Sequence, residues 1–231
     1  MSIALAQLWQ GGSVAPGTSI PITLPTNVSV GNMIVVNIMN IFTSVTDTTF
    51  SVADSLGNIY TRASTTNIGS GDQFSSEIWY SYNILGGACT VTITCANSGF
   101  IFVEAAEFSG ELITSDPLYM NGASGEARGS SSSAVTDTLD PVIYNGLYVA
   151  GNVDNQGATE TLTSAGWLLI SGDSPTAQAD AYIIDAPGPH SASWTLSASS
   201  GWFNAIAFFR DSGESSPVGF PFMTTVDAKR I

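Results

Sequence analysis

The chain has 231 residues, room for one large β-domain or two of ordinary size. Hydrophobic residues make up 44% and charged residues 10%, so a packed core can form and disorder is not expected. Nineteen acids against five bases give a net charge of −14. That charge repels phosphate backbones over a Debye length of about 10 Å and argues against nucleic-acid binding.

Residues 1–10 (MSIALAQLWQ) lack a basic leader, and Gln7 and Gln10 interrupt their apolar run, so no signal peptide is expected. No stretch approaches the ~18 apolar residues of a membrane-spanning helix, so membrane insertion is not expected. A surface-type composition without an export signal suits a particle assembled inside a cell, or a segment cut from a longer secreted protein.

No segment sustains a 3.6-residue apolar period, whereas runs with strand character recur. Residues 19–24 alternate. Residues 32–42 (NMIVVNIMNIF) are apolar on both faces and predict a central strand. A turn at 54–58 (DSLGN) leads to a strand at 58–63, and residues 77–85 (EIWYSYNIL) carry an aromatic ladder. After Gly86-Gly87, the alternating run from Cys89 to Cys95 completes a hairpin, and residues 100–108 form another apolar strand.

Cys89 and Cys95 are the only cysteines. Six residues of strand span roughly 20 Å, and a disulfide needs Cα atoms within about 7 Å. They are therefore expected as buried free thiols, with bonds to a neighbouring subunit as the alternative.

The second half repeats this order. Residues 146–152 (GLYVAGN) resemble 31–37 (GNMIVVN), and 166–170 correspond to 57–61. Residues 179–184 match 76–81, 193–198 match 90–95, and 201–210 match 99–108. The expected fold is all-β: two similar antiparallel, jelly-roll-like β-sandwich halves, with a non-helical C-terminal arm. The first half covers 1–110. The second covers 111–211 and includes the connection 111–139, in which residues 125–133 (GEARGSSSS) read as a flexible loop.

The arm spans 212–231. Pro217 and Pro221 forbid a helix there. Phe220, Phe222 and Met223 are apolar outside the repeat, and Lys229 and Arg230 are basic. Apolar groups without a home in their own domain mark an interface, so these five residues are candidate contacts to the acidic body of a neighbour.

Candidate chemistry is sparse. His190 lies in a Pro-rich turn (APGPHS), and no Gly-x-Ser-x-Gly elbow exists to make it part of a triad, so a solvent-exposed loop histidine is expected. Glu104 and Glu107 sit in an apolar strand at odd spacing, hence on opposite faces, and read as buried structural carboxylates with Arg62 or Arg128 as partner. A glycosidase would have to use these two. No catalytic residue is assigned and no enzyme is expected. Asp47, Asp54, Asp72, Glu77, Asp137 and Asp140 lie in or near loops but form no EF-hand, so no cofactor is expected, calcium being the one possible ion. Trp79, Trp194 and Trp202 read as core. Trp9 and Trp167 are the candidate sugar contacts, should either stand exposed on a loop. Asn27-Val28-Ser29 matches a glycosylation sequon.

The stretch 52–110 carries Ala53-Asp54-Ser55-Leu56-Gly57-Asn58-Ile59-Tyr60-Thr61, then Ile78-Trp79-Tyr80. Gly86-Gly87-Ala88-Cys89-Thr90-Val91-Thr92-Ile93 and Glu107-Phe108-Ser109-Gly110 follow. It resembles β-sandwich modules of bacterial surface and phage particle (virion) proteins. The resemblance implies an adhesive or structural role without catalytic residues. The leading expectation is a virion structural protein, a bacteriophage capsid, capsid-decoration or tail subunit that binds itself as a homo-oligomer and binds other particle proteins. The alternative is a carbohydrate-binding or adhesin module that meets glycans outside the cell or on its surface.

Overall fold

The computed structural model describes residues 3–12, 17–42, 50–67, 74–110, 115–141, 144–154, 158–170, 178–185 and 187–212. Among them there is no helix, and every strand pairing is antiparallel. The fold is thus all-β, as the sequence predicts.

The first sheet contains β1 (Ala4–Gly12), β2 (Gly17–Thr23), β3 (Met33–Phe42), β4 (Phe50–Asp54), β5 (Thr61–Asn67), β6 (Phe74–Ser81) and β7 (Thr90–Ser109). Its order is β1-β7-β3-β6-β5, with β2 and β4 also on β7. The second contains β8 (Leu118–Val135), β9 (Gly146–Asp154), β10 (Glu160–Leu162), β11 (Leu168–Leu169), β12 (Gln178–Asp185) and β13 (Ser193–Arg210). Its order is β10-β13-β9-β12-β11, with β8 also on β13. In pairing order β13 stands where β7 does, β9 where β3 does, β12 where β6 does, and β11 where β5 does.

The long strands make each half a sandwich. The first part of β7 pairs with β2 and β4, and its second part with β3 and β1. Val91, Ile93 and Cys95 from the first part share a buried cluster with Ile101, Val103 and Ala105 from the second. All six are odd-numbered, so one face of a single strand lines both layers of one core. The sheet must therefore curl over that core. In the second half Trp194 and Leu196 join Trp202, Ile206 and Phe208 in the same way.

A third core joins the halves. β3 gives its other face, Met33 and Val35, and β7 gives Ala106 and Phe108. β9 gives Leu147 and Val149, and β13 gives Ala205, Ala207 and Phe209. Tyr80 meets Phe209 at 5.0 Å between ring centroids, and Phe108 meets Tyr182 edge-on at 5.4 Å. This explains why 32–42 is apolar on both faces: β3 lies between two cores. The far end of the seam is polar. There Thr66 Oγ1 donates to Asn204 O at 2.7 Å, and Ser64 Oγ to Gly122 O at 2.6 Å.

Four sequence expectations are corrected. Residues 77–85 and 89–95 do not pair as a hairpin, because β6 pairs with β3 and β5 and β3 lies between β6 and β7. The strands at 89–95 and 100–108 are one strand, as are those at 193–198 and 201–210. The strands run through the Gly and Ser residues between them although the ladders slip there, with a register shift from Thr94 to Gly99 against β2 and shifts from Thr195 to Trp202 against β8. Residues 125–133 are not a loop but the middle of β8, which follows β13 from Ser193 to Phe209. Gly125, Glu126, Ser131 and Ser133 pair with β13, with a register shift between Glu126 and Ser131. Finally, β1 was not expected, although Ala4 to Gly12 pairs along β7 from Ser109 to Phe102. The proposed arm, with Phe220, Phe222, Met223, Lys229 and Arg230, lies outside the described residues, as do Asp47 and Asp72.

Candidate functional site

The chemistry-bearing side chains come first. Glu107, on the β7 face turned to the first core, is 2% exposed. Its carboxylate accepts from Gln7 Nε2 at 2.5 Å, from the Ser29 amide at 2.8 Å and from Asn32 Nδ2 at 2.6 Å. It thus ties β1 and the loop before β3 to β7. Glu104, on the opposite face, is also buried and pairs across the ladder with Asn37. The opposite-face reading of the two glutamates is correct.

The expected cationic partner is elsewhere. Arg62 Nη1 lies 3.3 Å from Glu77 Oε1, on neighbouring strands β5 and β6. Glu77 also accepts from Trp79 Nε1 at 2.7 Å and Thr65 Oγ1 at 3.2 Å. Burial still pushes its carboxyl above the usual range, against the lowering pull of Trp79, Arg62 and Thr65. Sequence reading placed Glu77 near a loop as a calcium candidate, whereas it sits within β6 with its oxygens occupied.

Asp54 is a turn residue. Its carboxylate takes the Leu56 and Asn58 amides at 2.9 and 3.0 Å, Asn58 Nδ2 at 2.7 Å and the Tyr60 hydroxyl at 3.1 Å. Gly57 follows at φ 82°, a left-handed conformation that suits glycine. The turn before β11 uses the same device at Gly166, also at φ 82°. Burial, together with Asp54, pushes the Cys89 thiol up to about 12. Both cysteines are buried, and neither is in a disulfide. In the second half, Asp154 accepts from Ser200 Oγ at 2.8 Å and the Ala158 amide at 3.1 Å, fully inside the fold. No sequence signal singled out this pair.

His190 is not a free loop residue. Its backbone pairs with Leu139, and its ring packs 4.4 Å from that of Tyr148. Among the described residues, no group of three or more His, Cys, Asp or Glu could hold a metal ion.

Trp167 is 7% exposed and packs in the second core near Tyr148, so it offers no face to a sugar. The burial arises because the residue follows the left-handed Gly166, which turns the chain back onto the core. Trp9 is half-buried against the first core. Trp194 and Trp202 are core, as expected, and Trp79 is partly buried.

Besides the exposed Leu168 and Leu169 of edge strand β11, two surface features bear on function. A polar groove of about 210 Å³ lies where β5 meets β8, lined by Arg62, Ser64, Thr65 and Asn121. Its Arg62 side chain is 44% exposed. The second feature is apolar. Val30, Ile59 and Leu85 are 76%, 84% and 56% exposed on three loops at one end of the first half. The Leu85 amide donates to Asn58 Oδ1 at 2.7 Å, which sets Leu85 beside Ile59. The Gly31 amide donates to Ile84 O at 2.9 Å, and Val28 pairs with Gly87. Val30 then lies across Gly86, where an added Cβ would stand 2.9 Å from its Cγ2. Val30, Ile59 and Leu85 thus stand exposed on neighbouring loops, a grouping that sequence reading missed because isolated loop apolars carry no periodic signal.

Compared with protein-family models, curated proteins and solved structures, the chain matches none.

Proposed function

We propose that the protein is a non-enzymatic structural subunit of an assembly, and that the assembly is a virus particle. The observation that carries this reading is the Val30, Ile59 and Leu85 patch: large apolar side chains held on short, hydrogen-bonded loops. Grouped exposed apolar residues mark protein–protein contact. Glu77, Glu107 and Asp54 each spend both oxygens on hydrogen bonds within the fold, which supports a scaffold role. The virion assignment draws on the resemblance of 52–110 to phage particle modules. It makes the partners further copies of this chain and other particle proteins, and the location the virion. Size-exclusion chromatography with light scattering tests the reading. A stable species above the 24.0 kDa of one chain is expected, and a strict monomer at high concentration would sink it.

The second reading is a sugar-binding or adhesin module at the cell surface. The polar groove at β5 and β8 favours it, since Arg62, Thr65 and Asn121 offer donors and acceptors together. A glycan array with no hits would retire it.

A further inference from the structure

We propose that the patch formed by Val30, Ile59 and Leu85 is a socket for residues 213–231 of a second copy of this chain, exchanged reciprocally between two copies. This deepens the assembly reading and rests on it.

Location is the first argument. β13 ends beside the start of β9, where Arg210 pairs with Gly146 and the Asp211 amide donates to Asn145 O. In the seam, Phe209 from this end packs on Tyr80, which pairs with Thr61 of β5. Ile59 is two residues before Thr61. The Arg210 amide also donates to Pro117 O, next to Asp116, whose carboxylate accepts from the Tyr80 hydroxyl at 2.6 Å. The chain therefore leaves the described fold at the end of the molecule that carries the patch.

Composition is the second. Residues 213–231 supply Phe220, Phe222 and Met223, three large apolar side chains within four positions. The segment holds Glu214 and Asp227 against Lys229 and Arg230, so it is formally neutral and residues 1–212 carry the whole −14. It is the part of the chain that the acidic body repels least. Reach is the third. Seven residues separate Ser212 from Phe220, about 25 Å when extended, enough to cross to a copy facing the same end. Because the chain leaves the described residues at the end that carries the patch, two copies placed end to end can satisfy both contacts by one two-fold axis, and the exchange closes as a dimer.

The experiment uses two variants of the full protein. One ends at Ser212 and keeps the socket. The other carries Val30→Ser, Ile59→Ser and Leu85→Ser and keeps the segment. The triple substitution touches exposed side chains only, and near-ultraviolet circular dichroism verifies folding. Expected are a wild-type dimer, a monomer for each variant alone, and a heterodimer when the two are mixed, because one socket then meets one segment. If both variants stay oligomeric, or if two monomeric variants fail to combine, this inference falls while assembly by other surfaces stands. A monomeric wild type, including one whose own segment covers its own patch, overturns both.

Discussion

In the first half, the buried carboxylate of Glu107 sits at the loop end of the sandwich and gathers Gln7, Ser29 and Asn32. In the second half, the buried carboxylate of Asp154 sits at the opposite end of its sheet, beside Trp202, and takes Ser200 and the Ala158 amide. Glu107 lies on β7 between β1 and β3, whereas Asp154 lies on β9 between β12 and β13. Which segments become strands follows from their hydropathy pattern. The polar clamps do not follow from it. Each is placed where one half has a chain segment to pin: β1 and the β2–β3 loop in one, the return from β9 in the other.

The seam between the halves makes the largest test. Phe209 is fully buried there and meets Tyr80. Phe209→Ala is expected to cost about 4 kcal/mol, as large-to-small changes in tight cores do. If the shared core makes the halves one cooperative unit, calorimetry on the wild type gives one transition and the variant lowers it as a whole. Two separate transitions in the wild type would mean that the seam couples them weakly.

Next comes the clamp of the first half. Glu107→Ala removes the buried acceptor shared by the half-buried Gln7 and Asn32 side chains and the Ser29 amide. A loss of about 3 kcal/mol in urea unfolding is expected, by analogy with other buried charged acceptors. The clamp of the second half is smaller. Ser200→Ala removes one donor from Asp154 and keeps the Ala158 amide, so about 1.5 kcal/mol is expected.

The legible part of this fold was the part set by apolar runs. Residues 32–42 announced a central strand by being apolar on both faces, and residues 100–108, 146–152 and 201–210 announced strands. β8 was illegible because Gly125 to Ser133 carries almost no hydropathy signal. A strand of small polar residues is held by its ladder to β13, which only the partner reveals. Carboxylate roles were half legible. Odd spacing put Glu104 and Glu107 on opposite faces, but spacing could not say that Arg62 faces Glu77, since that contact follows from the β5–β6 register. The Val30, Ile59 and Leu85 patch was not legible at all, because three loops distant in sequence form it.

The smallest expected effect is a slope with pH, and it asks whether the Arg62 pair behaves as a clamp or as a burial cost. Glu77 is held above the ordinary carboxylate range chiefly by burial. A raised acid binds its proton more tightly in the folded chain than in the unfolded one. Its contribution to stability is then fully present below the ordinary Glu value and is lost as pH rises through the folded one. Gln in this place resembles the protonated acid at every pH. Glu77→Gln and the wild type are therefore expected to be closest in stability near pH 4, with the difference moving in favour of the variant toward pH 7. Thermal unfolding at a series of pH values checks this. A difference that moves the other way would mean that Trp79, Thr65 and Arg62 outweigh desolvation, making Glu77 a charged clamp of the same kind as Glu107.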